Sequence, residues 1–221
     1  MLDSSGRQIV PVPSPEQGPV LDGRRARGSR TRRHIVEAYL QLLRSDGPAV
    51  ALAEVADLAG CSRRSIFAHY SAIADLRCAA ADHLLEQMDF SVVAEDTTGS
   101  VLSRLRREVK RRERECSAWW PLWRAFQAAP PEGSDLLLAR FDRFRRGREA
   151  RAGKVFEIEL HGTHRAARRE FDVQLGILTS IASWAMLRDS YQLTAPAIRQ
   201  HWTRSLVRLL PRRAQRLAAA A

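Results

Sequence analysis

Apolar residues recur along this chain at helical spacing, and no stretch alternates as a strand would. Ile35, Tyr39, Leu42 and Leu43 form one stripe and predict a helix over residues 31–45. Asp46-Gly47-Pro48 closes it. Leu52, Val55, Ala56 and Ala59 predict a second helix, and Ile66, Phe67 and Tyr70 a third. Leu76, Ala80, His83, Leu84 and Met88 share a face of a fourth, expected from residue 74 to about residue 94. Leu102, Leu105, Val109 and Cys116 mark a fifth, whose outer face RLRREVKRRER reads as solvated charge. Residues 117–129 carry Trp119, Trp120, Trp123 and Phe126, with Pro121 expected in a first turn or at a kink. A helix over residues 134–160 and an apolar one over residues 165–192 follow. Thr194 caps the last, with Ile198, Trp202, Leu206 and Leu209 as its stripe. The total is nine helices in an all-α fold.

The join between the second and third helices is short. Gly60 supplies a left-handed turn without steric cost, and Ser62 can accept an orphan N–H of the next helix. Two helices joined so tightly make a helix-turn-helix, whose second helix can enter a DNA major groove. That helix presents Arg63, Arg64, Ser65, Ala68 and His69 outward. Arginine can pair with guanine through two hydrogen bonds or hold a phosphate.

Three pieces of this region, RTRRHIVEAYLQLLRSDGPAVAL, LAEVADLAGCS and SRRSIFAHYSAIADL, together resemble the N-terminal domain of TetR-family transcriptional repressors. The resemblance covers about fifty residues, from Arg30 to Ala80. It implies a helix-turn-helix domain over residues 30–73, with DNA contacts from Arg30, Arg32, Arg33, Ser62, Arg63, Arg64, Ser65, Ala68, His69 and Tyr70. It also implies a helical ligand-binding and dimerisation domain over residues 74–211. Three positions depart from the family pattern. Ala51 replaces a capping Thr or Ser, Phe67 replaces a Tyr, and Ile73 stands where many members carry Lys. Each departure removes a phosphate anchor.

Residues 1–29 read as a disordered tail with a basic arm, and residues 212–221 as a frayed end. Six of the ten residues from Arg24 to Arg33 are arginine, enough to replace the lost anchors. Met88, Trp119, Trp123, Phe126 and Phe144 are the candidates for an apolar ligand pocket. Ile177, Ile181, Trp184, Trp202 and Leu206 are the candidates for a dimer interface closing a four-helix bundle.

Composition adds partners and compartment. The 221 residues carry 36 basic and 25 acidic side chains, a net charge of +11, which favours a polyanion. All the basic residues but Lys110 and Lys154 are arginine. Cys61, Cys78 and Cys116 show no pairing pattern and suit a reducing compartment. No apolar run approaches a membrane span, and the cytoplasm, in association with the nucleoid, is the expected location.

Two other classes of function compete. An enzyme needs a nucleophile with its base, paired carboxylates or metal ligands, and no such set is recognisable. His161 and His164 flank a glycine and read as a loop, so no metal and no cofactor is expected. A non-regulatory nucleic-acid-binding helical protein with a degenerate helix-turn-helix remains the alternative. The first expectation is a sequence-specific, ligand-responsive repressor. It would be a homodimer on a palindromic double-stranded DNA operator, answering a small-molecule effector and binding no membrane.

Overall fold

The computed structural model of the protein describes residues 20–128 and 134–219. Those residues contain helices and no strand. The first four helices are α1 (Val20–Ser45), α2 (Leu52–Ala59), α3 (Arg63–His69) and α4 (Ile73–Glu86). A short α5 (Ala94–Thr97) precedes the long α6 (Val101–Gln127) and α7 (Ser134–Val155). Then come α8 (Glu157–Leu160), α9 (Arg165–Leu178), α10 (Ile181–Ala185) and a π-helical turn over Met186–Ser190. The end is α11 (Ala195–Leu209) and α12 (Arg212–Ala219). Among the described residues nine of these helices have seven residues or more.

Helix α1 packs on α2 and α4, so the first three helices and the start of α4 share one small core. Ile35, Tyr39, Leu43, Val55 and Ile66 are its buried centre. Helix α4 then packs along α7, and α6 runs between α7, α10 and α11. Trp202 and Leu206 of α11 are fully buried in this second core. The chain thus joins the helix-turn-helix domain to a helical body through α4.

The helix ends differ from the sequence pattern in ways that local chemistry explains. The first helix starts at Val20, so residues 20–29 belong to α1 and are not a separate flexible arm. Arginine and alanine are strong helix formers, and Thr31 Oγ1 donates to the Arg27 carbonyl one turn back, at 3.1 Å. Residues 1–19 of the expected tail lie outside the described residues. Helix α4 stops at Glu86, short of residue 94. Just beyond it Asp89 Oδ1 accepts the Ser91 N–H at 2.8 Å, a side-chain turn that competes with the helix.

Pro121 breaks nothing. The two helices expected over residues 102–129 are one α6, with Pro121 buried inside it. One missing hydrogen bond is tolerated because α10 and α11 hold the helix by packing. Conversely, the apolar helix expected over residues 165–192 divides at Thr179. Ser180 caps the restart by accepting the Ser183 N–H at 3.0 Å. At the C-terminus residues 212–219 are helical rather than frayed, with Ala214 buried.

Candidate functional site: a helix-turn-helix reader and an arginine-floored cavity

The helix-turn-helix is built by its turn. Gly60 sits at φ 65°, ψ 37°, and the Cys61 N–H reaches back to the Ala56 carbonyl at 3.0 Å. Ser62 Oγ accepts the Ser65 N–H at 3.1 Å and opens α3. Arg63, Arg64 and Ala68 are exposed along α3, while Ser65 and His69 are partly covered. Ser65 Oγ is also hydrogen-bonded to Ser62 Oγ, at 3.0 Å. Arg30, Arg32 and Arg33 are exposed on α1.

The starts of α2 and α4 are held by their own carboxylates, which restores no phosphate anchor. The Ala51 N–H donates to Glu54 Oε2 at 3.1 Å, the half of a capping box that does not need a hydroxyl at residue 51. Asp75 does the same for the Ala72 N–H at 3.1 Å, and also accepts from Ser71 Oγ. Those bonds hold the exposed Asp75 carboxyl below its usual pKa. Ile73 packs against the apolar core instead of reaching out.

The second site is a cavity of about 330 Å³ in the body, at the lower end of the range for small-molecule sites. Trp123, Leu138, Phe141, Phe144 and Ile181 supply most of its apolar wall. Trp123 meets Phe141 edge-on, with centroids 4.9 Å apart. Its polar lining includes Arg112, Arg148 and, nearer the mouth, Arg145. Arg145 is held between Asp142 and Glu149 by hydrogen bonds of 2.5 to 3.1 Å.

Beneath that cavity lies a buried ionic cluster. Arg112 Nε donates to Glu108 Oε1 at 2.6 Å, its Nη1 to Thr179 Oγ1 at 2.7 Å and its Nη2 to the Arg148 carbonyl at 3.0 Å. Arg151 donates to Glu108 Oε2 at 3.1 Å and to Glu115 Oε1 at 2.7 Å. Arg148 Nη2 donates to the Thr179 carbonyl at 2.8 Å. The division of the apolar helix at Thr179 is therefore fixed by two arginines from α6 and α7. This cluster is also where the solvated face expected of α6 fails. Glu108, Arg112 and Glu115 point inward because α7 supplies Arg148 and Arg151 to meet them.

Burial would raise the Glu108 pKa, but Arg112 and Arg151 outweigh it and bring it down to about 2. Its folded value is below its unfolded one, so its stabilisation is present above about pH 4.5 and is lost as pH falls towards 2. A shift of this size is worth on the order of 3 kcal/mol. Urea unfolding at pH 7 and pH 3 should show wild type losing more stability than Glu108→Gln, the variant being weaker at pH 7. Equal losses would mean that Glu108 is not charged and paired.

Neither protein-family models nor curated proteins give a match to the sequence. Solved structures do. A TetR-family transcriptional regulator from Streptomyces coelicolor superposes with a TM-score of 0.66 at 18% identity, over 82% of this chain and 80% of that one. NalD, the secondary repressor of the MexAB-OprM multidrug efflux pump in Pseudomonas aeruginosa, gives 0.56 at 18% identity, over 85% of this chain and 98% of that one. The chain has the TetR-family fold. The match spans reader and body together, so it extends well past the fifty residues that carry the motif.

On that TetR-family frame the expected site residues divide. Of the DNA-contact candidates, Arg30, Arg32, Arg33, Ser62, Arg63, Arg64 and Ala68 are exposed, with Ser65 and His69 half-covered. Tyr70 is not available. It is buried, its hydroxyl donates to the Arg32 carbonyl at 3.2 Å, and burial raises its pKa despite Arg32 nearby. Of the pocket candidates, Trp123 and Phe144 line the cavity. Trp119 is fully buried beneath it, stacked on Phe144 at 4.5 Å, and is core. Met88 accepts the Trp119 indole N–H at 3.3 Å on the far side, and Phe126 packs on Trp123 and Phe141 outside the lining.

The dimer candidates need the largest correction. Ile181, Trp184, Trp202 and Leu206 are buried within the chain, because α10 and α11 turn their apolar faces onto α6. Ile177 alone of that set is exposed, at 60%. Sequence reasoning also passed over Phe67 as a contact. It is 50% exposed on α3, next to the arginines, where an aromatic face could meet a thymine methyl. Its signal was the same substitution that removes a hydroxyl. His164 accepts the Ala166 N–H at 3.3 Å and so caps α9. Among the described residues no cluster of three or more His, Cys, Asp or Glu could hold a metal, and no helix is long and apolar enough to cross a membrane.

Proposed function

We propose that the protein is a sequence-specific DNA-binding transcriptional regulator, and that a small effector in the cavity sets its DNA affinity. The observation that carries this reading is α3, a capped helix on a tight turn with Arg63 and Arg64 exposed at its N-terminal end. Arg30, Arg32 and Arg33 flank it from α1 and suit phosphates more than bases. Phe67 offers the apolar contact.

The helix contacts support such a coupling. The cavity wall residues Phe144, Arg145 and Arg148 belong to α7, and α7 packs along α4, which continues from the reader. Four residues past the end of α4, Phe90 lies against Gly147, where an added Cβ would come within 2.8 Å of its ring. An effector that shifts α7 therefore meets a close-packed joint. A typical coupling of about 1–3 kcal/mol changes DNA affinity roughly 5–150-fold. Repression is the direction we favour, since an effector that moves α4 would spoil a reader set for DNA.

A palindromic operator needs two readers. Val173 and Ile177, one turn apart on α9, are exposed and apolar, and a second copy presenting the same face would cover them. Ile177→Glu should convert a dimer to a monomer by light scattering at micromolar concentration, with little change in melting temperature. A monomeric wild type, or a variant that stays dimeric, would remove α9 from the interface.

The second reading, a nucleic-acid binder without regulation, has one observation behind it. A groove of about 620 Å³ between α6 and α11 is edged by Arg106, Lys110, Arg199, Arg204 and Arg208. Arg199 is already paired with Glu113 at 3.1 Å. A genome-wide map of bound DNA separates the two. A regulator should give a few discrete peaks sharing one inverted repeat, whereas broad occupancy without a shared sequence would support the groove.

A further inference from the structure

The cavity floor carries an excess of positive charge. Three arginines, Arg112, Arg148 and Arg151, are buried there against two buried glutamates, Glu108 and Glu115. At the mouth the signs are nearly balanced, since Arg145 and Arg146 face Asp142 and Glu149. Asp172, nearby on α9, feels Arg168 more strongly than Arg112, and burial raises its pKa. Each of the three buried arginines is within ion-pair distance of a glutamate, but three cations share two carboxylates, and an anion in the cavity would balance the third.

One of the two buried arginines in the cavity wall also makes fewer hydrogen bonds than the other. Arg112 uses Nε, Nη1 and Nη2 in hydrogen bonds. Arg148 uses Nη2 on the Thr179 carbonyl, and its buried Nε has no hydrogen-bond partner. That Nε lies 3.0 Å from Glu115 Oε2, close enough for Coulomb attraction, but its N–H is not aligned with the oxygen. Arg148 is nonetheless 94% buried as a side chain and forms part of the cavity wall. Its guanidinium lies 4.9 Å from the Phe144 ring centroid, and the Arg112 charge next to it disfavours two bare cations side by side. Around these groups the wall is aromatic and aliphatic, Trp123, Leu138, Phe141 and Ile181 among it. Such a wall suits a flat apolar body.

We infer that the cavity takes a small aromatic or branched apolar acid, with its carboxylate on Arg148 beside Arg112 and its body against Trp123 and Phe141. This inference rests on the cavity being the effector site. Arg148 donates hydrogen bonds to the carboxylate, and Arg112 contributes its charge. A primary amide of the same shape leaves the floor charge uncompensated. An amine adds a like charge.

The test is ligand binding to the full chain without DNA, by calorimetry and tryptophan fluorescence. The probes are benzoate, phenylacetate, 1-naphthylacetate and indole-3-acetate, each with its primary amide and its amine. At least one acid should bind about tenfold or more tightly than its amide, and the amines should not bind. Arg148→Met should erase the preference for acid over amide. Should that variant not fold, Glu115→Gln serves. It keeps an oxygen for Arg151 but removes one negative charge, so acid affinity should rise while amide affinity stays the same. Acids that bind no better than amides, or bind nowhere in the panel, overturn the inference, as does a Glu115→Gln protein with unchanged acid affinity. DNA plays no part in this measurement. Acid binding by a protein that selects no DNA sequence would keep the inference and remove the regulator, and DNA selection without acid preference would do the reverse.

Discussion

Arg151→Met should lower the unfolding free energy by about 3–5 kcal/mol, the usual result of removing one partner from a buried ion pair. Arg151 is fully buried and binds Glu108 and Glu115 together. Burial alone would lower its pKa, but the two carboxylates outweigh that and hold it above its ordinary value. Methionine fills much of the space and cancels none of the charge. Glu108 and Glu115 then share Arg112 and Arg148, and the carboxylate nearest the vacated space must either shift its pKa upward or draw in water. Arg151→Lys should rescue little, because one ammonium does not reproduce the two-sided fork that meets both glutamates. Adding Glu108→Gln to Arg151→Met should recover part of the loss, since it removes one stranded charge. Urea unfolding at pH 7 decides it. A loss below about 1 kcal/mol would be that of a surface pair and would put the cluster in water.

Replacing Arg63 and Arg64 together by alanine should weaken binding to the preferred DNA by about 2–6 kcal/mol, taking about 1–3 kcal/mol for each lost base contact. Both side chains are exposed and lie in the first turn of α3, so their removal should leave folding unchanged. The single variants assign roles. A base-reading arginine relaxes preference at one operator position, whereas a phosphate-holding arginine weakens all sequences alike and makes the salt slope shallower by about one. Arg30→Ala and Arg32→Ala should behave in the second way. Unchanged affinity and preference in the double variant would take α3 out of the groove.

The reader was legible because local signals agree there. Gly60, Ser62 and the apolar spacing each point to the same turn, and the structure places that turn as expected. The all-α class followed from the same periodicity over the body. Tertiary choices were less visible. A stripe such as Trp202 and Leu206 must be covered, but its spacing does not say whether α6 or a second chain covers it. That is why four of five dimer candidates proved to be internal. The charged run on α6 misled for a related reason. Glu108 and Arg112 look like an ordinary exposed pair four residues apart, and only α7, some forty residues on, makes them core. Half-length aromatic runs gave the right neighbourhood for the cavity through Trp123 and Phe144. Of its arginine floor, Arg112 lay in the charged run that reads as a solvated face, and Arg148 carried no signal of its own.

Selection from a random duplex pool shows whether the protein chooses a DNA sequence. Purified protein should be carried through several rounds at near-physiological salt, and the bound DNA sequenced. The account predicts one inverted repeat, with half-sites about ten base pairs apart or a multiple of that, enriched by wild type and lost with Arg63→Ala/Arg64→Ala. A bound pool no different in sequence from the starting pool, or the same repeat enriched by the double variant, would contradict it.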